Sequence, residues 1–234
     1  MRWRLDYQSK KGTVTQAKGI PAEREPVTVD TFATLANNTG TPKELLGSLF
    51  KSLFSKREEM RESATPTSIM LEKFPTLRTP EFLIMELSLI KEDDVEAAWS
   101  QLHDKLMDHL GTPTFSAAVK ELLKRAGSRA KNPEETVVRP GPPTLNARLS
   151  KEDVAPILWH HPTQSVLTFE GLTVPLTCHP KEAPLVLMAV YYAFDIKVPE
   201  KASPALSFLF RLLGLRNPGN LSPKLQALYD ELQE

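Results

Sequence analysis

The chain has 234 residues, enough for one large or two small domains. Its apolar share of 41% and charged share of 25% are those of a globular protein, not of a disordered or fibrous one. Lysine plus arginine equals aspartate plus glutamate, 29 each, so no global field draws the chain to nucleic acid or to a membrane.

The one cysteine, Cys178, excludes an intramolecular disulfide and fits a reducing intracellular compartment, cytoplasmic or nuclear. The opening MRWRLDYQSKK lacks the apolar stretch of a secretory leader. Twenty prolines against ten glycines point to many short helices between stiff breaks.

Residues 1–40 are read as a basic, partly disordered segment and linker. Arg2, Arg4, Lys10 and Lys11 are its candidate phosphate contacts. Trp3, Leu5 and Tyr7 are unusual in a free tail and look like the end of some element. Residues 27–40 read as a polar, Thr/Asn-rich connector.

Residues 41–127 are read as an N-terminal helical region. Thr41-Pro42-Lys43-Glu44 predicts a helix start, with Thr41 as cap, Pro42 in the first position and Glu44 completing a capping box. One broad apolar stripe follows: Leu45, Leu46, Leu49, Phe50, Leu53 and Phe54, before the chain turns charged at residues 56–62. Either the rest of the fold or another chain must cover it. Thr65-Pro66, Thr79-Pro80, Thr112-Pro113, Ser203-Pro204 and Ser222-Pro223 also each precede an apolar-periodic segment. These six pairs are read as helix starts; the other reading is proline-directed kinase sites. Between Asp93 and Gly111 lies the clearest amphipathic helix, with Asp93 or Asp94 as cap and Val95, Ala98, Trp99, Leu102, Leu106 and Leu110 as its buried stripe.

Residues 128–149 form a Pro-rich linker, and residues 150–234 a C-terminal hairpin plus helical region. Ser150 to Asp153 suit a short helix start before Pro156. VLTFEGLTVPL (residues 166–176) predicts a small β-hairpin turning at Glu170-Gly171. It should pack on the helices that follow, because a lone hairpin is unstable. From Leu185 to Phe194 ten apolar residues run without interruption; a membrane span needs about 20, so this is a buried helix. A second helix opens at Ser203-Pro204 and ends at Gly214. The fold class expected is mainly α, a multi-helix bundle of about nine helices with one small hairpin.

The residues predict no catalytic, cofactor or metal site and no small-molecule ligand. His160, His161, Cys178 and His179 match no zinc spacing. Cys178 beside His179 reads as a small core thiol, since nucleophile dyads are assembled in space. No Gly-rich phosphate loop and no G-x-S-x-G elbow is present. The expected function is a non-enzymatic protein-interaction or self-assembly module, with a protein partner or dimerisation at the Leu45–Phe54 face. Nucleic-acid association through the basic N-terminus is the alternative. An enzyme with an unrecognised site lined by His160, Glu170 or Cys178 is a further one.

Three patches resemble a family of vertebrate proteins, most numerous in fish, described as similar to sterile alpha motif domain-containing protein 3. KREEMRESATPTSIMLEKFPTL (residues 56–77) is similar to the family's charged helix and "[EK]xWPxLF" segment, with Phe74 where the family has Trp. QLHDKLMDHL (residues 101–110) is the second patch. The third runs from VLTFEGLTVPL through the apolar helices to LSPKLQALYDEL. The resemblance spans residues 43–234. GIPAEREPVTV resembles a connector that follows a basic module in the same proteins, which implies that the chain begins inside that module and stands without a sterile alpha motif domain. The resemblance implies no activity and carries no catalytic residue onto this chain.

Overall fold

The structure is a computed structural model and describes residues 27–127, 138–140, 156–161, 164–169, 172–176, 180–198, 203–215 and 220–233. Seven helices come first: α1 (Val29–Ala36), α2 (Lys43–Ser52), α3 (Phe54–Glu62), α4 (Thr67–Lys73), α5 (Pro80–Lys91), α6 (Val95–Asp108) and α7 (Pro113–Gly127). A small sheet follows, with strands β1 (Val138–Pro140), β2 (Ile157–His161), β3 (Gln164–Phe169) and β4 (Leu172–Leu176). Helices α8 (Ala183–Ala193), α9 (Ser203–Leu212) and α10 (Pro223–Gln233) close the chain. The protein is therefore mainly helical, and β3 and β4 form the hairpin that the alternating pattern predicts. Phe169 opposite Leu172 is its last pair before the loop.

The sheet is wider than the hairpin. Its order is β1-β2-β3-β4, with β1 parallel to β2 and the other pairs antiparallel. Leu158 faces Leu167 across β2–β3, and Leu167 faces Val174 across β3–β4. β2 is too short to show a period of its own; pairing with β3 makes it a strand. Phe169 packs its ring 5.3 Å from that of Phe194, which ties the hairpin to the end of α8. The turn at Glu170-Gly171 and the helix start at residues 150–153 lie outside the described residues.

The stretch read as a connector contains a helix. In α1, the Thr28 hydroxyl caps by accepting from the Thr31 N–H at 3.2 Å, and Asp30 stands in the first turn. Val29, Thr31 and Thr34 are poor helix formers. Tertiary packing overrides them, because Phe32 is wholly buried with its ring 5.6 Å from Phe74 and 6.1 Å from Phe50.

The Thr-Pro pairs start helices, but not all by capping. Thr112 caps, accepting from the Phe115 N–H at 3.2 Å. The hydroxyls of Thr41 and Thr79 turn backward instead, donating to the carbonyls of Leu35 (2.7 Å) and Thr76 (2.8 Å). No side chain caps α2, α4 or α5. The proline holds φ for the helix start, and the hydroxyl fastens the preceding turn.

Four helices end alike. After α3, α5, α8 and α9 one residue takes positive φ: Ala64 (51°), Glu92 (59°), Asp195 (48°) and Gly214 (64°). In each, the next N–H reaches back five residues, as in Thr65 to Met60, Asp93 to Ser88, Ile196 to Tyr191 and Leu215 to Phe210. Gly214 is where the sequence places it; the other three residues carry a Cβ in a region that favours glycine. Ala64→Gly is therefore expected to raise folding stability by about 0.5–1 kcal/mol, read as a shift in urea midpoint at constant slope.

One apolar core runs from Phe32 to Leu215 and draws on residues before and after the Pro-rich segment. α5 lies along α8, whose residues 185–191 are all buried, as a helix apolar on every side must be. The Phe210 ring of α9 stands edge-on to Tyr192 at 5.3 Å. A smaller cluster joins Ala118 of α7 and Phe208 of α9 to Leu225, Leu228 and Leu232 of α10. No helix among the described residues is long and apolar enough to cross a membrane.

Candidate functional site

The stripe from Leu45 to Phe54 divides into a buried part and an exposed one. Phe50 is wholly buried, and Leu46 and Leu53 nearly so. Leu49 and Phe54 are half-buried, and Leu45 alone is well exposed, at 45%. The face expected to meet a partner is thus mostly internal packing. The rings of Phe32, Phe74 and Phe82 surround Phe50 at centroid distances of 5.1–6.3 Å.

The stripe also breaks. Leu53 separates α2 from α3, at φ −95° and ψ 13°. At the break the Phe50 carbonyl accepts from Arg57 Nη1 at 2.7 Å, and the Ser52 hydroxyl donates to the Leu49 carbonyl at 2.8 Å. A side chain from the next helix thereby satisfies a carbonyl that a longer helix would have paired internally.

Among the described residues Arg57 is the most unusual. Its side chain and that of Glu86 on α5 are both 0% exposed. Arg57 Nε donates to Glu86 Oε2 at 2.7 Å, and Nη2 lies 2.7 Å from the same oxygen without the alignment of a hydrogen bond. Arg61, one turn further along α3, donates to Glu86 Oε1. The Arg57 guanidinium stacks 3.5 Å above the centroid of Phe50 and 5.1 Å from that of Phe74. Burial pulls the Arg57 guanidinium below its usual value, and Glu86 opposes that pull. The result is an ion triad closed over by aromatic rings.

Both charges were legible by position. Leu46, Phe50, Leu53 and Arg57 follow the 4-3-4 spacing of one helical face. Glu86 stands between Leu83 and Leu87 on the buried side of α5. Opposite charges on two apolar stripes signal an internal ion pair. A sequence reading that notes only that the chain turns charged at residues 56–62 misses it.

Other predicted residues fall as follows. Asp94 caps α6, accepting from the Ala97 N–H at 3.0 Å, and Val95, Trp99 and Leu102 are buried. Leu110 is not part of that stripe: α6 ends at Asp108, and Leu110 is 50% exposed. Met107 beside it is 51% exposed, and the Leu110 N–H bonds the Met107 carbonyl at 3.1 Å. The α6–α7 corner thus presents two large apolar side chains, three residues apart, to solvent. An open groove of about 310 Å³ runs between Asp94, Glu96 and Trp99 of α6 and Lys181-Glu182. Its indole Nε1–H donates to the Lys181 carbonyl at 2.7 Å.

His160 and His161 stand on β2, though their side chains lie outside the described residues. Cys178, His179 and Glu170 lie outside them altogether, as do Arg2, Arg4, Lys10 and Lys11. Among the described residues no three His, Cys, Asp or Glu side chains converge to hold a metal ion. No family model matches the chain, and no curated protein or solved structure matches it.

Proposed function

We propose that the chain is a non-enzymatic protein-interaction module and that the α6–α7 corner is its contact. The observation that supports this is the pair Met107 and Leu110, three residues apart and both half-exposed where the helix ends. Methionine is unbranched and polarizable, which suits it to an adaptable contact surface. Leu45 is the exposed remainder of the face first expected to serve. Two of the ionisable groups that burial perturbs are ill placed for chemistry on a substrate. Arg57 is sealed beneath aromatic rings, and Tyr191 is buried, with its hydroxyl pushed well above its usual value by that burial.

The test is capture from cell lysate with nuclease present, beside light scattering of the purified chain for self-association. The Met107→Glu/Leu110→Glu double variant should lose its protein partners, or its dimer, while its circular dichroism matches that of the parent. Leu45→Glu should retain them. Binding that survives the double change rejects this corner. Binding that disappears with nuclease moves the reading to nucleic acid and to the basic N-terminus.

A further inference from the structure

Five of the six Ser/Thr-Pro hydroxyls have described side chains, and their surroundings differ sharply. Thr41 and Thr79 donate to backbone carbonyls, and Thr112 accepts from a backbone N–H as a helix cap. Ser222 Oγ is sealed from solvent. Thr65 meets the Ser63 hydroxyl at 3.1 Å, in a bond that is itself exposed. Two hydroxyls in water exchange such a bond for one to solvent at little cost.

The backbone separates Thr65 from Thr79, though not from Thr41, whose Pro42 is likewise extended at φ −60° and ψ 138°. Thr65 is half-buried, with exposed Ser63, Ala64 and Pro66 around it, and lies in the non-helical turn between α3 and α4; Thr79 is exposed, but its hydroxyl is held by the Thr76 carbonyl. Pro66 has φ −55° and ψ 140°, the extended polyproline conformation. Pro80, by contrast, is already the first residue of α5, so Thr79 cannot enter an extended groove unless that helix frays. Thr65-Pro66 thus lies outside any helix, between left-handed Ala64 and the start of α4 at Thr67, and a kinase has only this short turn to open.

We propose that Thr65 is a phosphorylation site for a proline-directed kinase, an assignment independent of the function proposed above. In the reaction Thr65 Oγ1 attacks the γ-phosphorus of a nucleoside triphosphate held by the kinase. The bond from that phosphorus to the β-phosphate oxygen breaks, and the nucleoside diphosphate leaves with its electron pair. The hydroxyl proton passes to the kinase's base. The product adds a charge of about −1.5 to −2 at position 65. Ile69, four residues on, is 43% exposed. One turn from it the apolar surface becomes strongly anionic, so the modification changes what this face of the protein can bind.

The full folded chain is incubated with a purified proline-directed kinase and ATP, and initial rates at each site are read by mass spectrometry. Synthetic peptides spanning each pair give the unhindered rate. Thr65 should keep most of its peptide's rate. Thr41, Thr79 and Thr112 should fall by about tenfold or more, because each must first open locally. Thr65→Ala should remove the signal at position 65 and leave the other sites as they were. A Thr65 slowed as much as Thr79 relative to its peptide, or unmodified in both chain and peptide, overturns the proposal.

Discussion

Replacing Glu86 with leucine is expected to cost about 3–5 kcal/mol of folding stability, because two guanidinium groups lose their shared carboxylate and Arg57 has no water to turn to. In a chain of this size that is a drop in melting temperature of roughly 10 °C, at about 2–4 °C per kcal/mol. Arg57→Met in the same background should recover much of the loss, since an apolar pair of similar volume fills the space without a desolvation cost. The double-mutant cycle from urea denaturation measures this directly: the two single losses should sum to well above the double loss. Additive losses would mean that Arg57 and Glu86 act separately and that the ion pair is incidental. Arg61 is a weaker lever, because its side chain is 10% exposed and can reach solvent.

Phe50→Ala is the second large effect, an expected loss of about 3–5 kcal/mol for truncating a fully buried aromatic side chain. Its ring touches three other phenylalanines and carries the Arg57 guanidinium, so the cavity also removes a cation–π contact. Leu45→Asp, five residues earlier on the same helix, should change stability by no more than about 0.5 kcal/mol. Both are read in one denaturation series. This contrast separates the two roles that the stripe was open to. If it served association alone, the two substitutions would both spare the fold. A Phe50→Ala chain as stable as the parent would show that the aromatic cluster does not hold these helices together.

Local signals were the readable ones. Apolar spacing placed α2, α5, α6, α8, α9 and α10, and alternation around Glu170-Gly171 placed β3 and β4. Asp94 as a cap and Gly214 at positive φ follow from chemistry within a few residues of each site. The candidate surface was less legible. A stripe reveals that a face is apolar, and the neighbours alone decide whether Phe50 or Leu45 is the side chain they cover. Leu110 continues its helical period on paper, but the helix stops two residues earlier, and the side chain turns out to solvent.

The sequence by itself determined the class of fold, the positions of most helices and the hairpin. These rest on periodicities and caps whose partners lie within one or two turns. Only the tertiary structure decided that Val29 to Ala36 is helical, that β2 joins the sheet, and that Arg57 meets Glu86. In each case the stabilising partner is distant along the chain: Phe74 for Phe32, Leu167 for Leu158, and a carboxylate 29 residues away for the guanidinium. Weak local propensity yields to such contacts because burying a ring or pairing a buried charge is worth several times the few tenths of a kcal/mol by which a residue prefers one backbone conformation.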